Sequence, residues 1–310
     1  MVRNGLAPKA PRTQEDESVK RLLTTAIATV LAATLFVGFA QDGDVPDRLV
    51  LGMVPSREAE AIVDSLDPLA ELLSDALLIP VDTFISTNYV GLVEAMGTGR
   101  VDIGLFGPAA LVQAMDAYGA EVIVASVRRG STTYRSQFNI RCDSGIETFE
   151  DLRGRTIAFV DPGSASGYQF PYVTLKNTYG IDPDSEMTSI FAGSHDAAAL
   201  AVYNGDVDVS VTFGGSPGSD GRETIEGEYP DVKDVVCILG YSDDIPNDGA
   251  VVRAGLDPQL KDQIAQALID IAATEEGKAL TEALFNVTEF ARVDASAYDV
   301  VREVSKEFER

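Results

Sequence analysis

Two separated stretches of this chain carry one pattern, and that pattern limits the folds open to it. Residues 93–107 read Val-Glu-Ala-Met-Gly-Thr-Gly-Arg-Val-Asp-Ile-Gly-Leu-Phe-Gly, and residues 199–214 read Ala-Leu-Ala-Val-Tyr-Asn-Gly-Asp-Val-Asp-Val-Ser-Val-Thr-Phe-Gly. Each reads as a helix end, a glycine stop (Gly99, Gly205), then Val-Asp-Ile or Val-Asp-Val entering a strand. A recurring helix–glycine–strand unit points to two related α/β halves in one chain.

The rest of the chain fits that reading. Residues 48–53 read as a first strand. Val54-Pro55-Ser56 turns into a helix, with Ser56 as N-cap and Ile62, Val63, Leu66, Leu69, Leu72 and Leu73 on its apolar side. Pro80 ends that region. Strands at 81–85, 101–106 and 121–127 alternate with helices at 90–96 and 109–118. This β-α-β-α order predicts a parallel sheet covered by helices. It then restarts, with strands at 138–141, 156–160, 189–191 and 207–213 and helices at 148–152, beyond 168, and at 197–203. A Gly/Ser-rich loop follows at 214–221, a strand at 235–239, a turn at 245–249 and a strand at 250–252. Helices at 258–273, 275–284 and 298–308 close the chain. The expected architecture is two α/β lobes with a cleft between them. Lobe 1 takes residues 48–132 plus 248–310, and lobe 2 takes residues 133–247. Ligands in such sheets bind outside the carboxyl ends of the strands.

One loop at such an end stands out. The apolar run 156–160 leads into Asp161-Pro162-Gly163-Ser164-Ala165-Ser166-Gly167-Tyr168, and a helix pattern follows. Two glycines and two serines here let backbone N–H groups turn towards one point, beside the positive end of the next helix. The loop reads as an anion cradle. The competing reading is a plain strand-to-helix turn with a serine N-cap.

Charge narrows the partners. The 310 residues hold 24 Lys+Arg against 49 Asp+Glu, a net charge of −25. Nucleic acid is not an expected partner, because binding it needs a basic footprint. The acid is spread over the chain, as on a solvated surface. An anion must therefore be captured by local donors against the field of the whole molecule.

The first 40 residues differ. Lys20-Arg21 precede the uncharged apolar run 22–39, and Gly38-Phe39-Ala40 offers small residues at a cleavage site after Ala40. Residues 1–40 read as leader and signal peptide. Residues 1–18 do not resemble a signal peptide, and translation from Val19 would leave an ordinary basic start. An uncleaved membrane tether is the alternative. Either way, the rest of the chain is placed in the periplasm or outside the cell. In that setting the only two cysteines, Cys142 and Cys237, invite a disulfide. Both sit in strand-like runs, 137–142 and 235–239, that could be sheet neighbours. Two buried thiols are the alternative.

The loop 161–168 resembles the Asp-Pro-x-Ser-x-Ser-Gly loop of the phosphate/phosphite/phosphonate-binding proteins of ABC transporters. So do Gly193-Ser194-His195-Asp196, Thr87-Asn88-Tyr89-Val90-Gly91 and Ile245-Pro246-Asn247-Asp248, in the family's order. The resemblance covers residues 48 to 300. It implies a type II periplasmic-binding-protein fold, with two lobes, a hinge and closure over one ligand. It also implies ligand positions. Ser164 and Ser166 resemble the hydroxyls that donate to phosphoryl oxygens, with Ala165 and Gly167 in the same loop. His195 resembles a histidine on the same group. Tyr89 and Tyr134 resemble tyrosines facing the ligand, and Asp248 an acid that can meet an amino group on an aminophosphonate. Ala165 stands where a Thr can add a hydroxyl, and 212–216 lacks the second acid of that subgroup. Both departures point away from an amino-bearing ligand. Asp102 and Asp208 read as strand-start residues, outside the site.

The chemistry agrees with the resemblance. A tetrahedral oxyanion needs many short donors in fixed geometry, and hydroxyls, helix-start amides, phenols and an imidazole supply them. The expected function is an extracytoplasmic solute-binding protein, a monomer with no cofactor and no metal. It would capture phosphonate, phosphite or phosphate for a membrane permease. The rival on the same fold takes a sulfonate, sulfate or organic carboxylate. An enzyme is not expected. Gly-x-Ser-x-Gly is unmet because Ala165 is central in 163–167, and a Ser166–His195 hydrolase lacks a third group.

Overall fold

The computed structural model describes Met1 and residues 43–54 and 59–308. The leader, its cleavage after Ala40 and the Ser56 cap lie outside the described residues. From Gly43 onward the chain forms one compact unit. Its strands are β1 (Leu49–Met53), β2 (Val81–Ile85), β3 (Ile103–Phe106), β4 (Glu121–Val127), β5 (Thr133–Arg141), β6 (Thr156–Phe159), β7 (Thr188–Phe191), β8 (Val209–Gly214), β9 (Val236–Tyr241), β10 (Ile245–Pro246), β11 (Gly249–Val252) and β12 (Glu289–Ala291).

Two sheets result. The first runs β12-β4-β11-β3-β1-β2. β1 lies between β2 and β3, parallel to both, as the alternation predicts. The expectation of a parallel sheet fails beyond β3. β11 returns from late in the chain and inserts antiparallel between β3 and β4, and β12 adds a further antiparallel edge. Local periodicity reports crossovers between successive strands, not a partner brought in from afar. The core of this half packs Leu51, Met53, Leu69 and Leu73 against Ile264 and Leu268, all fully buried.

The second sheet draws on residues 133–246. β8, β6 and β7 are parallel neighbours, and β5 runs antiparallel to β8. The other side of β5 takes β9 and, at its start, β10. Residues 245–246, expected in a turn, instead pair with Tyr134 and Thr133. Cys237 lies opposite Ile140 in the β5–β9 ladder, the Cys142 N–H donates to the Val235 carbonyl at 2.9 Å, and the two cysteines are disulfide-bonded.

The sequence echo becomes a shared device. Gly99 and Gly205 both adopt left-handed backbone, with φ of +72° and +79°. In the first sheet the Val50 N–H donates to the Asp102 carboxylate at 2.9 Å, and the Asp102 N–H donates to the Val50 carbonyl at 3.0 Å. In the second sheet the Thr156 N–H donates to Asp208 at 2.8 Å, and the Asp208 N–H returns to Thr156 at 3.0 Å. Each aspartate thus clasps the start of a neighbouring parallel strand before the regular ladder begins. Arg253 neutralises Asp102, and Arg155 neutralises Asp208.

Candidate functional site

Four helical segments start around one cavity, each set by its local sequence. Asn88 caps the helix Tyr89–Gly97, its side chain accepting from the Gly91 N–H at 2.7 Å. Pro108 opens the helix Pro108–Tyr118, where its missing N–H costs nothing. Ser194 caps the helix His195–Asn204, accepting from the Ala197 N–H at 3.3 Å.

The fourth start is the Gly/Ser loop. Asp161 accepts from the Gly163 N–H at 2.7 Å, and Ser164 accepts from the Gly167 N–H at 3.0 Å. The expected helix beyond it opens with a wide π-type turn, Ala165–Gln169. That start leaves the N–H groups of Ala165 and Ser166 without partners inside the helix. Gly163 permits a close approach between the halves: a Cβ there would lie 2.5 Å from the Tyr89 Cβ.

Tyr89, Pro108, Ala165 and His195 are thus first residues of four helical segments, and all four line the same cavity. Its volume is about 60 Å³. It lies at the carboxyl ends of strands of both sheets, bounded there by Val54, Phe106 and Phe213. Helix starts carry a positive partial charge from unpaired N–H groups and the aligned peptide dipoles. Four of them facing one small space produce a local positive field in an acidic molecule.

Side chains complete the donor set. Ser164, Ser166 and His195 are buried at the cavity wall, as are Tyr89 and Tyr134. Burial pushes both phenols well above the usual tyrosine range; Ser164 beside Tyr89 and Ser166 beside Tyr134 offset part of the rise. Both phenols are therefore neutral donors at physiological pH. Of the positions expected from the resemblance, seven line the cavity: Tyr89, Tyr134, Ser164, Ala165, Ser166, His195 and Asp248. Gly167 does not, and its N–H is taken by Ser164. Arg128 donates to one oxygen of the Asp248 carboxylate, so this acid is already neutralised by a neighbouring cation.

Arg128, Phe213 and Asn286 also line the cavity and went unseen in the sequence reading. Arg128 is buried, donates to the Asn247 side-chain oxygen at 3.0 Å, and lies over the Tyr134 ring at 5.5 Å. No motif marks it; only the fold brings it to residues 247–248. Phe213 occupies the region where a second acid was sought, its ring 4.9 Å from the His195 imidazole in edge-on packing. Among the described residues no His/Cys/Asp/Glu group could hold a metal ion, and no helix is long and apolar enough to cross a membrane.

The model of the ABC transporter, phosphonate, periplasmic substrate-binding protein family matches residues 51–298. The phosphate-import protein PhnD of Mycolicibacterium smegmatis is 34% identical over 181 residues, 54% of this chain and 56% of that protein's length. The phosphonates-binding periplasmic protein of Escherichia coli is 25% identical over 274 residues, 86% of this chain and 79% of that protein. The crystal structure of a binding-protein component of an ABC phosphonate transporter from Pseudomonas aeruginosa superposes with a TM-score of 0.73 at 24% identity. It covers 84% of this chain and 86% of that one, and shares the two-sheet fold. This chain belongs to the phosphonate family of ABC-transporter periplasmic substrate-binding proteins.

Proposed function

We propose that this chain captures a phosphorus oxyanion (phosphonate, phosphite or phosphate) outside the cytoplasm and delivers it to an ABC permease. The observation that carries the reading is the meeting of four helix starts with buried Ser164, Ser166, Tyr89, Tyr134 and His195 at one small cavity. Hydroxyl, imidazole and backbone donors of fixed geometry bind a tetrahedral anion without mobile countercharge. The names of the relatives, phosphate import and phosphonate binding, fall in the same chemical class. Residues 48–132 plus 248–310 act as one lobe and 133–247 as the other. They open and close about the chain crossings near 128–132 and 247–248, and the closed monomer is the form presented to the permease. Residues 1–40 serve as the export leader.

Titration calorimetry of the purified protein against phosphate, phosphite, methylphosphonate and sulfate tests the assignment. Binding of at least one phosphorus anion, with sulfate much weaker, is the expected result. Preference for sulfate would instead support the sulfur-anion reading. Turnover of an ester substrate, lost in Ser166→Ala, would move the protein to the hydrolases.

A further inference from the structure

The helix Glu275–Phe285, which packs in the first half, ends at Asn286 in left-handed backbone, φ 55°. That end is tied down on both sides. The Asn286 N–H donates to the Glu282 carbonyl at 2.8 Å, and the Thr281 hydroxyl donates to the Val287 carbonyl at 2.8 Å. The Asn286 side-chain amide then reaches the other half, donating to the Gly218 carbonyl at 3.0 Å. Gly218 belongs to the loop that follows β8. Its φ is +71°, a left-handed backbone that favours glycine, and a Cβ there would press on the Arg129 guanidinium at 2.8 Å.

The loop itself is anchored. The Ser219 N–H donates to the Ser216 carbonyl at 3.0 Å. Asp220 accepts from Arg222 at 2.7 Å and from the buried Gln137 amide at 2.8 Å. Gly218 and Ser219 face two spaces at once. On one side is the anion cavity, and on the other is a polar cleft of about 430 Å³ bordered by Arg135, Ser216 and Tyr241. The wall between them is one loop thick, and the Asn286 bond ties it to the first half.

We infer that the Asn286–Gly218 hydrogen bond is a latch that seals the anion cavity and limits its ligands to phosphorus oxyanions with no substituent larger than methyl. The inference rests on the phosphorus-oxyanion reading above. A cavity of about 60 Å³ has room for about four water-sized groups, which is what the substituents of one tetrahedral phosphorus occupy. A longer tail would have to displace the Gly218–Ser219 wall. Asp248 is the one acid among the cavity's described lining residues and its charge is offset by Arg128, so a charged amino tail finds no second acid there. Phosphate, phosphite and methylphosphonate fit this description; phosphate monoesters and longer alkylphosphonates do not.

The test compares the full chain with Asn286→Gly, which keeps the left-handed backbone and removes the amide. Asn286→Asp, which cannot donate to a carbonyl, is a second variant. Calorimetry and stopped-flow fluorescence are run with phosphate, phosphite, methylphosphonate, butylphosphonate and 2-aminoethylphosphonate. The wild type is expected to favour one of the three small anions over the two longer ones by about 100-fold, the scale of a steric exclusion. Both variants are expected to release that anion roughly 10-fold faster with little change in association rate, and to discriminate less against butylphosphonate. Butylphosphonate binding as tightly as methylphosphonate overturns the size limit. Unchanged release and unchanged discrimination in both variants overturn the latch. Wild-type protein binding none of the five anions overturns the phosphorus-oxyanion reading and the inference with it.

Discussion

Arg128 and Asp248 form an ion pair where the chain crosses between its two sheets, and the pair sits on the wall of the anion cavity. Asn247 knots the same place. Its side-chain amide donates to the Ser126 carbonyl at 3.0 Å and the Ser131 carbonyl at 2.8 Å, and the Tyr298 hydroxyl donates to the Asn247 carbonyl at 3.0 Å. The two crossings are thereby fastened to each other beside the ligand space. Replacing Arg128 by Met strands the Asp248 carboxylate. A loss near the lower end of the 3–5 kcal/mol known for broken buried pairs, about 3 kcal/mol, is expected in denaturant unfolding. The double variant Arg128→Met, Asp248→Asn should recover part of that loss. With Asp248→Asn measured alone, a double-variant loss equal to the sum of the two single losses would show that the two residues are not coupled.

Ser166 and His195 approach the cavity from two different helix starts. Ser166→Ala and His195→Ala are each expected to weaken phosphorus-oxyanion binding by roughly 1–3 kcal/mol, the worth of one charge-assisted hydrogen bond. Calorimetry on the folded variants reads this directly. A variant of unchanged affinity has no part in the site. Because the donors are buried, wild-type affinity should change little with added salt.

The buried phenols predict an alkaline limit. Burial holds the Tyr89 and Tyr134 hydroxyls protonated well above their ordinary range, so folding binds those protons more tightly than the unfolded chain does. The stability they contribute is complete below about pH 10, the ordinary tyrosine value, and declines as pH rises beyond it. Unfolding free energy should therefore fall above that pH, and more gently in Tyr134→Phe. An absorbance titration in which all ten tyrosines ionise together near their ordinary value would contradict this.

The Cys142–Cys237 bond closes a loop of sequence separation 95 at the edge of the second sheet. Neither cysteine lines the cavity. Reduction, or Cys142→Ser with Cys237→Ser, is expected to cost about 2–4 kcal/mol of stability. Oxyanion affinity should stay within about 2-fold, since an effect on stability need not reach a distant site. A large loss of affinity in a variant that still melts cooperatively would tie the bridge to the cleft.

Much of the site can be read from the chain because helix starts are local events. Asn88, Ser164 and Ser194 each announce a cap within a few residues, and each cap places a side chain or amide at the cavity. The Val-Asp echo is equally local, and Asp102 and Asp208 perform the same clasp in the two sheets. What the local pattern misreads is what a neighbour takes: the Gly167 N–H, an apparent anion donor, is used by Ser164.

Sequence alone determined the two α/β halves, the capped helix starts and the class of donors they present, because each follows from propensity and spacing over a few residues. Tertiary structure decided the rest. It placed β11 between β3 and β4, and set Arg128 against Asp248. It also carried the Asn286 amide to Gly218, a contact 68 residues apart in sequence. These are pairings between distant segments that carry no signal until the chain packs, since a buried charge or amide takes whichever partner the fold brings within reach.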